Sequence, residues 1–268
     1  MPALGLPTVL LFDLDDTIVR FSCGQPDFWR LAFERHLPQG VDSARLSASI
    51  ERVSQIFWGA PERAFWGRQN MQLARRKVAL EALLSHGIDE RSCLAIADEM
   101  TELKEAHVRP FEGAVETLDA LRARGHRLGL LTNGSSAFQR RKLQRFALES
   151  RFELIAVEGE LGFGKPDARV FHRALEHFGC AGHEALMVGD NLHADLEGAA
   201  AVGIAGVWHD AYESGLPAES PVEPAWIVTR ITELLDLKSL APRLDRRDLD
   251  IDGGAPSRTP SRPSGGVI

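Results

Sequence analysis

Three acids, Asp13, Asp15 and Asp16, follow the apolar run Val9-Leu10-Leu11-Phe12 and precede Thr17. Burying an ionised carboxylate without a partner is very costly, so an acid cluster at the end of a buried run does not serve stability. The run reads as a buried strand ending at Phe12. In open α/β sheets the loops just beyond the carboxyl ends of strands bind ligands. A divalent cation would offset the clustered charge; the plain alternative is a solvated, inert acidic turn. Other polar groups stand where further strands end. Thr132 is followed by Asn133 and Gly134, which offer backbone N–H groups, and Asp190 is followed five positions on by Asp195. Gly162-Phe163-Gly164-Lys165-Pro166-Asp167 sets a lysine at the mouth of a helix. The set contains a carboxylate nucleophile, an acid/base, a hydroxyl, a cation and a second acidic pair for a metal. Phosphoryl transfer needs this inventory, because charge on the transferring group must be neutralised while an in-line nucleophile is held in place.

The surrounding pattern supplies elements to position these groups. Strands are expected at 8–12, 127–131, 154–157, 185–188, 204–208 and 226–228. Helices are expected between them: Val115, Leu118 and Leu121 line one that stops at Gly125, and Phe138, Leu143 and Phe146 line the next. Another runs over 167–178, a small-residue helix covers 196–202, and a last helix covers 231–240. Alternating strands and helices imply an α/β, Rossmann-like parallel sheet core with helices on both faces. Residues 20–108 differ, with helical periodicity throughout and no strong Val/Ile run. Phe28, Leu31 and Ala32 mark one helix ending near Pro38; Leu46, Ile50, Val53 and Phe57 mark a second, with Ser43 as a possible N-cap and a break at Gly59-Ala60-Pro61. A third runs through Leu73, Val78 and Leu83 to a left-handed stop at Gly87, and a fourth carries Leu94, Ile96, Met100 and Leu103. The organisation expected is a core of 1–19 and 109–240, an inserted all-helical cap of 20–108 and a disordered tail of 241–268, rich in Pro, Gly, Ser and charge.

The chain has 268 residues, enough for one large core plus an insertion, and a formal net charge of -7 that argues against nucleic-acid binding by a basic surface. Cys23, Cys93 and Cys180 are scattered and form no metal-spaced pair, which fits a reducing, cytoplasmic setting. No apolar run is long enough to span a membrane, and the N-terminus, which lacks a basic residue before Arg20, does not read as a signal peptide.

Together the motifs resemble those of the haloacid dehalogenase superfamily, specifically its phosphatases with an inserted helical (C1-type) cap. The family pattern D-x-D-x-T matches Asp13, Asp15 and Thr17; the Ser/Thr at the next core strand end matches Thr132; the Lys-Pro matches Lys165; and the G-D with a following acid matches Gly189, Asp190 and Asp195. The resemblance implies an aspartyl-phosphate on Asp13, with Asp15 as acid/base and Mg²⁺ bound by Asp13, the backbone carbonyl of Asp15, and Asp190. Thr132, the Asn133 N–H and Lys165 would hold phosphoryl oxygens, with Asp195 behind them ordering Lys165 or a metal-bound water. The expected partner is a small phosphorylated metabolite such as a nucleotide, phosphoglycolate or a sugar phosphate, acted on by a monomer or homodimer. A phosphomutase, a dehalogenase or an inactive binding module of the same fold are the alternatives. In the dehalogenase branch the position of Asp15 is not acidic, which argues against that activity.

Blander readings accompany several residues. Asp16 and Thr17 serve the loop rather than the reaction, and His193 and His209 are not assigned to a metal. Arg63, Arg68, Arg75 and Arg76 could read a substrate anion, but most are expected on solvated helix faces. Trp58, Phe65 and Trp66 are expected in the core of the cap.

Overall fold

The computed structural model of the protein describes residues 7–21, 27–38 and 40–239. The expected tail, 241–268, lies outside the described residues, as do Cys23 and the last position of the expected final helix.

The first strand, β1 (Val9–Phe12), is the centre of the molecule, and all of its residues are at most 2% exposed. Side chains alternate across a strand, so Leu10 and Phe12 enter one apolar cluster while Val9 and Leu11 enter another on the opposite face. This explains a run with no polar alternation: both faces of the strand are covered. A short β2 (Val19–Arg20) follows. The chain then forms α1 (Phe28–His36), α2 (Ser43–Gly59), α3 (Pro61–Gln69), α4 (Met71–Leu83) and α5 (Glu90–His107), and returns through β3 (Arg109–Pro110), antiparallel to β2. The remaining elements are α6 (Ala114–Ala123), β4 (Arg127–Thr132), α7 (Ser136–Arg145), β5 (Leu154–Val157), α8 (Glu158–Leu161), α9 (Ala168–Phe178), β6 (Ala185–Gly189), β7 (Ala205–His209) and β8 (Trp226–Val228). The six-stranded sheet is parallel, in the order β5-β4-β1-β6-β7-β8. The chain runs from β1 outward on both sides, and the crevice at such a switch point is where open α/β sheets bind ligands.

The inserted helices pack around an apolar cluster of their own, with Phe33, Ile50, Val53, Val78, Ala82 and Ile96 at its centre. Four helices were expected here and five form among the described residues. The additional α3 begins at Pro61, the residue read as a break, because proline is accommodated at the first helical position. Its buried residues are only Ala64 and Gly67, so it has no apolar stripe that periodicity could reveal. The N-cap of α2 is Asp42 rather than Ser43, accepting from the Arg45 N–H at 3.1 Å. The helix expected over 196–202 instead opens as a π-helical turn, Leu192–Glu197. The last helical segment, Ile231–Ser239, is a 3₁₀ run kinked at Asp236. Among the described residues no helix is long and apolar enough to cross a membrane.

Candidate active site

The parallel sheet brings the singled-out residues to one edge. Asp13 follows β1 directly, and its N–H donates to the Val188 carbonyl of β6 at 2.9 Å. Thr132 is the last residue of β4 and Gly189 the last of β6, with Asp190 next. Asp13, Thr132 and Asp190 line a cleft of about 620 Å³ together with Asp15, Lys165 and, from the helical insertion, Trp58, Arg68 and Met71.

At the floor of the cleft, Lys165 Nζ lies 2.5 Å from Asp13 Oδ1 and 2.6 Å from Asp195 Oδ1. Burial works against the lysine charge, yet the two carboxylates outweigh it and hold its pKa above the ordinary lysine value. Lys165 is also fixed through its backbone. The Asn133 side chain accepts from Lys165 N–H at 2.9 Å and donates to its carbonyl at 2.7 Å. The side chain of Asn133 is thus committed to positioning Lys165. Asp195 is brought back to the strand end by the π turn, and its second oxygen accepts from Asn191 N–H at 3.0 Å. Asn191, not Asp195, caps that turn. A Cβ at Gly189 would overlap the Asp195 carboxylate, so only glycine permits this approach.

Asp13, Asp190 and Asp195 each offer an oxygen, and these oxygens lie within 4.8 Å of one another. Burial, reinforced by the neighbouring carboxylates, pushes Asp13 and Asp190 well above the usual carboxylate range; Lys165 partly offsets this for Asp13. Both carboxylates can be ionised together only beside additional positive charge. Since Asp195 is engaged by Lys165 and Asn191, Asp13 and Asp190 are the carboxylates left for a cation. A hard, oxygen-only donor pair of this kind fits Mg²⁺, which takes one or two carboxylates and completes its shell with water and phosphate oxygens.

Asp16 adopts a left-handed backbone (φ 58°), and its carboxylate accepts from Phe21 N–H at 2.9 Å and Tyr212 hydroxyl at 3.0 Å. It shapes the loop. The Thr17 hydroxyl donates to Asp190 Oδ1 at 3.5 Å. His193 is exposed and pairs with Glu197, and His209 is buried away from the carboxylate cluster.

Three residues of the site escaped the sequence reading. Lys142, 5% exposed on α7, grips Asp15, and Gln139, one turn earlier, donates from Nε2 to both Asp15 Oδ2 and Thr132 Oγ1 at 3.0 Å. Glu158, 2% exposed, accepts from Gly134 N–H at 2.8 Å and from Arg68 through Nε and Nη2 at 2.9 and 2.7 Å. The signal for the first two was an i, i+3 polar pair on the helix face that also carries Leu143. No spacing rule could have matched Glu158 with Arg68.

A sequence model of the haloacid dehalogenase-like hydrolases matches residues 7–203. The chain belongs to that family. Within it, the chain is 44% identical over 126 residues to a phosphoserine phosphatase of Thermus thermophilus, a match covering 45% of this chain and 49% of the relative. The chain therefore spans about half the length of that relative. A glyceraldehyde 3-phosphate phosphatase of Pyrococcus furiosus is 33% identical over 239 residues, 85% of this chain and 92% of the relative. Among solved structures, the magnesium-bound HAD-hydrolase YfnB of Bacillus subtilis superposes with a TM-score of 0.66 at 25% identity, covering 85% of this chain and 97% of that one. Arg75, read as one of four arginines expected mostly on solvated faces, is 5% exposed; Arg68 and Arg76 are paired, with Glu158 and Asp98. Trp58 and Trp66 pack against the core of the insertion, as expected, whereas Phe65 is 41% exposed.

Proposed function

We propose that this haloacid dehalogenase-like hydrolase is a Mg²⁺-dependent phosphatase that cleaves a small phosphomonoester through an aspartyl-phosphate on Asp13. The observation that carries the reading is the acid two residues beyond Asp13: Asp15 lines the same cleft as the Asp13–Lys165 pair. A leaving alcohol needs a proton, and a leaving halide does not.

In the first step an Asp13 oxygen attacks phosphorus, the bond from phosphorus to the ester oxygen breaks, and Asp15 gives its proton to the departing alkoxide. In the second, Asp15 takes a proton from water as the water oxygen attacks, and the bond from phosphorus to Asp13 breaks. Lys165, the Thr132 hydroxyl and the Asn133 N–H hold the phosphoryl oxygens, with Asp195 and the Asn133 side chain fixing the lysine. Asp13, Asp190 and the Asp15 carbonyl would hold Mg²⁺, which supplies Lewis-acid charge neutralisation at the phosphoryl group. The helices of residues 20–108 act as the cap over the core formed by 1–19 and 109–240. The named phosphatase relatives support a small phosphorylated metabolite as substrate.

The test is phosphate release from p-nitrophenyl phosphate by the full chain in MgCl₂. Turnover is expected, and Asp13→Asn is expected to lower it by roughly 10³-fold or more with the fold retained. Substantial activity in that variant would sink the nucleophile assignment.

A further inference from the structure

Beyond the catalytic cleft, the helical insertion holds a second cavity of about 300 Å³ lined by Phe21, Trp29, Trp58, Met71, Arg75 and Lys104. Phe21, Trp58 and Met71 line both spaces, so the second cavity adjoins the first. Two cations meet there. Arg75 Nη1 is buried and has no hydrogen-bond partner among the described residues. Lys104 Nζ sits 4.3 Å from the Phe21 ring centroid. Glu105 acts electrostatically on Arg75, and Asp16 and Asp15 on Lys104, but among the described residues no carboxylate comes within ion-pair distance of either, whereas Arg76 and Arg68, from the same insertion, are each paired at 2.7 Å. Burial pushes the Arg75 guanidinium down to about 10, and burial together with Arg75 brings Lys104 to about 8. Buried charges in folded proteins are paired or bind something, and helix packing alone would be served as well by an apolar side chain of similar volume.

We infer that this cavity is the subsite for the alcohol portion of the substrate, and that this portion carries an oxyanion of its own, held by Arg75 and Lys104. The inference rests on the phosphatase reading, which puts the transferred phosphoryl group at Asp13. A guanidinium fork matches carboxylate and phosphoryl oxygens alike, and a lysine adds a point charge. Trp29, Trp58 and Phe21 wall the cavity with apolar surface, and a low-dielectric surrounding strengthens the attraction between opposite charges. At the small end of ligand cavities, the space suits a short carbon chain rather than a nucleoside.

The experiment compares kcat/KM of the full chain on matched esters. 3-Phosphoglycerate and glycerol 3-phosphate differ by a carboxylate. Fructose 1,6-bisphosphate and fructose 6-phosphate differ by a second phosphoryl group. The anionic member of at least one pair is expected to be favoured about tenfold or more, and the pair that shows it identifies the oxyanion. Arg75→Met and Lys104→Met are each expected to shrink that preference about tenfold, and Arg75→Lys to keep part of it. The melting temperature of Arg75→Met is not expected to fall, because the buried Nη1 has no hydrogen-bond partner among the described residues and no carboxylate lies within ion-pair distance. A preference near unity in the wild type, or one unchanged in both methionine variants, overturns the inference while the phosphatase reading stands. Failure to hydrolyse any ester, p-nitrophenyl phosphate included, overturns the phosphatase reading and the inference resting on it.

Discussion

Lys142 Nζ lies 2.5 Å from one carboxylate oxygen of Asp15 and 2.6 Å from the other. The lysine is itself wedged between aromatic faces, 4.2 Å from the Phe138 centroid and 4.6 Å from that of Phe21. Burial pushes its pKa down, with Asp15 partly restoring it. A side chain so confined aims the Asp15 carboxylate rather than merely neutralising it. Lys142→Met is expected to slow hydrolysis of an alkyl phosphate about 10–100-fold and p-nitrophenyl phosphate much less, since an activated phenolate leaves without a proton. Steady-state rates on both esters check this, and equal losses would remove Lys142 from any role through Asp15. Asp15→Asn is expected to show the same asymmetry more strongly.

The buried acids predict how stability depends on pH and metal. Asp13 and Asp190 are both raised above their ordinary carboxylate values, so the folded chain holds protons there that the unfolded chain has released. That contribution is full below the ordinary carboxylate pKa and is lost as pH rises through about 7 for Asp13 and about 9 for Asp190. Lys165, raised above its ordinary value, stays charged throughout and leaves the sign unchanged. Melting temperature in EDTA is expected to fall between about pH 5 and about pH 9, and the gain on adding Mg²⁺ to grow over the same window. A metal-induced gain independent of pH would contradict it.

Glu158 ties the insertion to the loop after β4, joining Arg68 of α3 to the Gly134 N–H. Arg68→Ala leaves a buried carboxylate short of its main charge partner. The expected cost is about 1–3 kcal/mol in urea unfolding, with a rise in KM because Arg68 also borders the cleft. Arg68→Ala with unaltered stability and KM would show that the contact is incidental.

Gly189→Ala probes the approach of Asp195 to the end of β6. The added methyl displaces the Asp195 carboxylate and with it one of the two anchors of Lys165. Stability is expected to drop by about 1–3 kcal/mol, and kcat to fall with it. Thermal melts and phosphate release report the two effects separately.

Much of this was readable from the chain because strand ends announce themselves: a buried apolar run followed by a polar cluster places Asp13, Thr132 and Asp190 on one edge once the strands are parallel. The same logic fails for α3, whose buried positions are alanine and glycine and leave no stripe to detect. It fails for Lys142 and Glu158 because their partners, Asp15 and Arg68, are brought close only by the tertiary fold. Arg75 misled for a related reason: a charged residue on an amphipathic helix is usually solvated, and its burial follows from how α4 packs against α2 and α5.

The pairing of β2 with β3 sets Val19 opposite Pro110 and Arg20 opposite Arg109. To the sheet, the five helices between them are a parenthesis, because the chain leaves and rejoins the core at a single doorway. Neither the order nor the register of the six strands runs through what lies inside the parenthesis. The residues proposed to hold the alcohol portion of a substrate lie inside the parenthesis or at its threshold, while those proposed to break the phosphate ester are bound to the geometry of the sheet.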